Sequence, residues 1–117
     1  MTKKGFTLVE IMMVVSLIAL LASLSIPSIM RARRTARTNT CINNLRQLED
    51  AKEQAAMENS LNEGSPCATT MLDTFIKQTT SGVICPSDQN KSFDTSYTIE
   101  LIGSKPLCVN VPESHFR

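Results

Sequence analysis

A carboxylate inside an otherwise apolar run is the first group in this chain with chemistry to explain. Residues 6–26 number 21, and Glu10 is the only one among them with a formal charge. An ionised side chain at bilayer depth is costly and as a rule has a partner. No basic residue lies within helical reach of Glu10, so its expected partner comes from another molecule or is made later. Cleavage between Gly5 and Phe6 would make one: an α-amine at the membrane surface, which a neighbouring subunit could set against Glu10.

The four cysteines, Cys41, Cys67, Cys85 and Cys108, are the second candidate set. Four thiols pair in three ways. The favoured pairs are Cys85–Cys108, tying the loop before a hairpin to its second strand, and Cys41–Cys67, pinning the following segment to a long helix. Each bridge would contribute about 2–4 kcal/mol, mainly by restricting the unfolded chain. A metal centre is the rival, but there is no Cys-x-x-Cys and His115 is the only histidine, so none is expected.

Asp88-x-Asn90-x-Ser92-x-Asp94 alternates oxygen donors as a calcium loop does. Phe93 stands where such a loop needs Gly, and Ile99 where it needs Glu, so a solvated polar loop is the preferred reading. His115 has no Ser or Cys nucleophile arranged beside it, and no Gly-rich phosphate loop or carboxylate pair occurs, so neither enzyme activity nor a cofactor is expected. Arg31, Arg33, Arg34 and Arg37 form a basic collar. Its plain role is to snorkel where a helix leaves lipid. The sharper one, holding nucleic acid or acidic lipid through phosphates, lacks interleaved aromatic stacking partners.

Several elements must position these groups. About 20 apolar residues suffice to cross a bilayer as a helix, and a lone segment cannot close a barrel. Pro27 removes a hydrogen bond and predicts a kink or a break. Beyond it, Ile42, Leu45, Leu48, Ala51 and Ala55 recur at three- and four-residue spacing, one stripe of a helix that continues to the stop at Asn62-Glu63-Gly64 and Pro66. From residue 6 to about 61 that helix would be roughly 80–85 Å long. A short helix capped by Thr70 with Asp73, a loop over 78–82, and strands over 96–102 and 107–111 complete the head.

From Thr40 onward only 78 residues remain, few for an independent core, so the head is expected to need staples. Charge is unevenly spread. The five arginines between Met30 and Gln47 meet no acid, whereas residues 47–117 hold ten acids and five bases. In a staggered stack the basic collar of one subunit would lie against the acidic head of another.

Lys3-Lys4-Gly5, then Phe6-Thr7-Leu8-Val9-Glu10, then an apolar run with Pro27 near its end, resembles the class III leader of type IV pilins and type II secretion pseudopilins. An ordinary signal peptide has a shorter apolar core and its small-residue cleavage site after it, the reverse of this order. The resemblance implies an α+β, pilin-like fold: a long N-terminal helix, membrane-spanning in its first half, and a small disulfide-stapled head with a β-hairpin. The expected divisions are a leader at 1–5, a membrane and filament-core helix at 6–27, its amphipathic continuation at 28–63, and the head at 64–117. It further implies that prepilin peptidase cuts after Gly5 and methylates Phe6, and that Glu10 is required for assembly. Partners would be further copies in a helical filament and an inner-membrane assembly platform.

The positive-inside rule alone would place the arginine cluster in the cytoplasm. The leader resemblance instead places Lys3 and Lys4 there, with the head outside. Major pseudopilins often bind calcium in a late loop, which implies the same for residues 88–94. The stretch from Cys41 to Gln54, with Cys85-Pro86, Tyr97, Pro106-Leu107-Cys108 and His115, is also similar to short pilin-like proteins of environmental bacteria. Their usual Gly-Gly before the Tyr is replaced here by the longer segment 87–94. The alternatives are a DNA-uptake pilin that uses the arginine collar and a single-pass anchored protein of another role.

Overall fold

The computed structural model describes residues 4–110. Lys3, the Val111 end of the second expected strand and His115 lie outside those residues. The chain divides into two compact units, Met1–Thr35 and Ala36–Arg117, with the boundary inside helix α1 (Leu8–Glu58).

In the first unit, up to Met30, α1 is apolar on every side apart from Glu10. Between Phe6 and Met30 no large apolar side chain is less than 52% exposed. A helix that is hydrophobic all round is stable only where lipid or other helices cover it. Pro27 sits inside α1 and the helix runs through it without a break. Its missing N–H leaves one carbonyl a turn back without its usual donor. Nearby, the Ser23 hydroxyl donates to the Leu20 carbonyl at 2.8 Å and the Ser25 hydroxyl to that of Leu21 at 3.0 Å.

In the second unit, residues 36–58 of α1 form the floor of the core. Cys41, Leu45, Leu48, Ala51, Lys52 and Ala55 are buried, and Ile42 is half-buried. The stripe is therefore the expected one, rotated to begin at Cys41. The helix stops at Glu58, short of the predicted Gly64. Ser60 takes a left-handed φ of 51°, and the Leu61 N–H closes back onto the Ala56 carbonyl at 2.9 Å. A serine at the position where glycine usually ends a helix thus suffices here.

The rest of the head is three helical turns and a minimal hairpin. α2 (Thr69–Leu72), α3 (Thr79–Gly82) and α4 (Phe93–Ser96) are each four residues long. Leu72 and Ile76 are buried, Phe75 is half-buried and Met71 exposed. The expected Thr70–Asp73 cap does not form. The Asp73 carboxylate instead accepts from the Thr80 N–H and hydroxyl, both at 2.6 Å. This opens α3 inside the stretch expected to be loop.

β1 (Tyr97–Thr98) and β2 (Leu107–Cys108) pair antiparallel, Tyr97 opposite Cys108 and Thr98 opposite Leu107. The strands are shorter than the period-two pattern predicted. After Thr98 the backbone turns to another partner. Ile102 donates to the Ser65 carbonyl and accepts from the Gly64 N–H, at 3.0 and 2.9 Å. Leu101 consequently faces solvent and Ile102 is buried.

Lys52 anchors that departure. It is 3% exposed, and its ammonium donates to the carbonyls of Leu101 at 2.9 Å and Ser104 at 2.7 Å. Burial pulls its pKa below the ordinary lysine value. Charge-assisted hydrogen bonds of this kind are worth about 1.5–3 kcal/mol each, partly offset by desolvation. Lys52→Ala is expected to destabilise the head by about 2–4 kcal/mol in denaturant titrations. A change below about 0.5 kcal/mol would make the contact incidental.

Candidate functional site

The N-terminus of α1 is built by two residues that cap each other. Thr7 precedes the first helical residue and Glu10 is the third residue of the helix. The Thr7 N–H donates to Glu10 Oε2 at 2.8 Å, its hydroxyl reaches the same oxygen at 3.0 Å, and the Glu10 N–H reaches Thr7 Oγ1 at 3.3 Å. This is a reciprocal capping box, which satisfies donors that the first helical turn leaves open. Both bonds from Thr7 end on Oε2, so Oε1 has no partner among the described residues. The sequence carries the signal as Thr-x-x-Glu, which a search for basic partners alone overlooks.

Gly5 has no such structural duty. Its φ is not left-handed, and a Cβ added there would meet nothing within 4 Å. Its small size answers to no contact inside this chain. Beyond it, α1 is long and apolar enough to cross a membrane, and none of that apolar stretch is buried. Arg31, Arg33, Arg34 and Arg37 are all exposed.

The head has a separate cluster that spacing did not suggest. All four cysteines are free, so the disulfide-stapled head is not what this structure contains. Cys85 and Cys108 do adjoin, with sulfurs 3.7 Å apart, well beyond the bonded distance of about 2.05 Å. Cys41, the expected partner of Cys67, lies with them. Its sulfur joins those two, all three within 4.8 Å of one another, and Cys67 is not in the group. The cause is helix phase: Cys41 leads the buried face through Leu45 and Leu48, at intervals of four and three. That phase is readable in the sequence once the stripe is begun at Cys41.

Polar groups brace this cluster. The Tyr97 hydroxyl donates to Cys41 Sγ at 3.4 Å and accepts from Asn44 Nδ2 at 3.0 Å. Asn44, one turn beyond Cys41, also donates to the Ile84 carbonyl at 3.0 Å. The Cys85 N–H donates to Ser96 Oγ at 3.1 Å, and that hydroxyl donates to Asp88 Oδ2 at 2.8 Å. Burial, above all, pushes the Cys41 thiol and the Tyr97 phenol upward.

Asp88 has its oxygens committed. Oδ2 accepts from Thr95 at 2.6 Å as well as from Ser96, and Oδ1 accepts from the Asn90 N–H at 3.0 Å. A carboxylate turned inward to these donors is a poor cation ligand. Of the set Asp88, Asn90, Ser92 and Asp94, Asp88 is buried, Ser92 half-buried, and Asn90 and Asp94 are exposed.

The Asp73 and Asp88 carboxylates are expected to set an acid limit. The Thr95 hydroxyl holds Asp88, and the Thr80 hydroxyl Asp73, below the ordinary carboxyl value of 3.8. A folded pKa below the unfolded one adds stability that is present above the unfolded value and lost as pH falls through the folded one. The head is therefore expected to melt at a steady temperature from pH 7 to about pH 5 and progressively lower below about pH 4. Asp88→Asn should lower the neutral-pH midpoint by several degrees and flatten the acid limb. An unchanged acid limb in the double variant Asp73→Asn, Asp88→Asn would place the acid sensitivity elsewhere.

Residues 1–26 match the family described as the prokaryotic N-terminal methylation motif, the class III prepilin leader of type IV pilins and pseudopilins. No curated protein and no solved structure matches the chain. The motif and the apolar helix fit an inner-membrane-anchored precursor.

Proposed function

We propose that this chain is the subunit of a type IV pilus-like or type II secretion filament. It inserts in the inner membrane with its head outside the cytoplasm, is cut after Gly5 and methylated on Phe6, and is drawn by an assembly platform into a helical stack of copies. The observation that carries this reading is the leader motif over residues 1–26, continued by a helix with its apolar surface uncovered on all sides. Packing of such helices in the filament core removes that surface from lipid without exposing it to water.

Glu10 has a defined part in this scheme. The capping box keeps it hydrogen-bonded in the lone precursor, through Oε2. Oε1 then accepts the Phe6 amine of the adjacent subunit, so the charge is paired only on assembly. Residues 6–7 survive cleavage after Gly5, and the box survives with them. Near Pro27 the helix loosens in the filament to let neighbours pack. Continuous helical density through residues 23–27 of a filament map would contradict that loosening.

The test is the intact mass and N-terminal sequence of the protein from membranes, with electron microscopy of the cell surface. A methylated Phe6 start with surface fibres supports a pilus; the same start with periplasmic filaments alone supports a pseudopilus. A Met1 start in cells that carry the peptidase defeats both and leaves a single-pass anchor. The exposure of Arg33 and Arg34 favours one second reading, DNA retention by the filament. Salt-sensitive DNA binding lost on charge reversal at Arg33 and Arg34 would establish it.

A further inference from the structure

Cys41, Cys85 and Cys108 come from three separate places in the head: α1, the segment just after α3, and β2. The first two are 0% exposed and the third 2%. Three thiols cannot all be satisfied by pairing, since any disulfide among them strands the third. Their spacing suits a different bond. Sulfurs held at about 2.3 Å from a tetrahedral zinc ion lie about 3.8 Å from one another. The 3.7 Å between Cys85 and Cys108 is close to that edge.

We propose that Cys41, Cys85 and Cys108 form a three-thiolate site for a thiophilic divalent ion of the zinc and cadmium class. On binding, three S–H bonds are lost as three protons, and three metal–sulfur bonds form. The net charge of the filled site is −1, from three thiolates and one divalent cation. With the ion bound each sulfur is a thiolate, because the cation supplies the compensating positive charge.

The surroundings fit a thiolate cage. The Tyr97 hydroxyl is aimed at Cys41 Sγ, the kind of outer contact that orients a ligand and stabilises its anion. Asn44 holds that hydroxyl in place. No carboxylate or histidine among the described residues joins the three sulfurs, which selects soft ions over calcium or magnesium. The fourth position of a tetrahedral ion is left to a ligand from outside the trio. Such an ion would staple α1 to the hairpin, the task expected of disulfides in a head this small.

The experiment uses the full chain in detergent, reduced and stripped of metal without oxygen, then titrated with cadmium(II). The expected result is one ion per chain, with the ultraviolet absorption of cadmium–thiolate bonds, and a higher melting temperature when zinc(II) is added. Outer contacts to metal ligands are worth about 10–100-fold in affinity. Losing a direct ligand in Cys41→Ser, Cys85→Ser or Cys108→Ser should therefore cost more than about 100-fold, and Cys67→Ser should cost nothing. Wild type and Cys67→Ser decide the matter even where a trio variant fails to fold. Absence of stoichiometric cadmium–thiolate absorption in wild type overturns the proposal. So does loss of binding in Cys67→Ser, or a metal-free Cys85–Cys108 disulfide throughout protein taken from membranes under alkylation.

Discussion

Replacing Glu10 with Ala is expected to leave cleavage after Gly5 intact and to abolish filaments. The cleavage signal precedes Phe6, whereas Glu10 lies one turn into the helix, so the two steps read different atoms. In the proposed filament, assembly is the step that needs a carboxylate with one oxygen to spare, and Oε1 is the spare one. Two companion variants separate the capping role from the intersubunit role. Glu10→Gln keeps an acceptor near Thr7 but loses the charge that a neighbouring amine would meet, and should also fail to assemble. Thr7→Val removes one of the two donors to Oε2 and keeps the backbone one, so filaments should persist at reduced yield. Microscopy and a sheared-fibre assay read all three. If Thr7→Val abolished filaments as fully as Glu10→Ala, the carboxylate would act through the helix cap alone. Abundant normal fibres from Glu10→Ala would defeat the pairing.

Gly5→Val is the second large effect: processed protein should be undetectable while the fold is unchanged. Space around Gly5 is open and its backbone conformation suits any residue, so no structural penalty follows from the added side chain. Whatever the substitution changes must then lie in recognition by another protein. Intact mass distinguishes an uncut chain beginning at Met1 from a mature chain beginning at Phe6. Circular dichroism and melting of the same preparation should match wild type. Normal cleavage of this variant would show that the small residue is not read, and the processing assignment would need a different site.

The α1 unit and the head differ in how openly the sequence announces them. Residues 6–26 are apolar at nearly every position, and no choice of partner alters what such a run must do: leave water as a helix. The cap was legible too, as Thr-x-x-Glu. The stripe through Leu45, Leu48, Ala51 and Ala55 needed only its phase corrected to take in Cys41 and Lys52. A lysine with a long apolar stem is easily assigned to the solvent face. Its burial depends on carbonyls about 50 residues away, which no local pattern encodes.

The hairpin shows the limit most clearly. Alternation over Tyr97, Ile99 and Leu101 reads as one strand face, yet the ladder ends at Thr98, because Ile102 finds the backbone of Gly64 and Ser65. Local periodicity reports what a segment can form; competition between distant partners decides what it does form. The cysteines follow the same logic. Their number and the absence of Cys-x-x-Cys were plain, but whether Cys41 meets Cys67 or Cys85 with Cys108 depends on the helical phase and the register Tyr97 opposite Cys108. By itself the sequence determined the leader, the membrane-length helix and the buried stripe, because each follows from residue type at short range. Only the tertiary structure decided the thiol trio, the buried lysine and the length of the strands, since these depend on contacts whose closure no short-range pattern records.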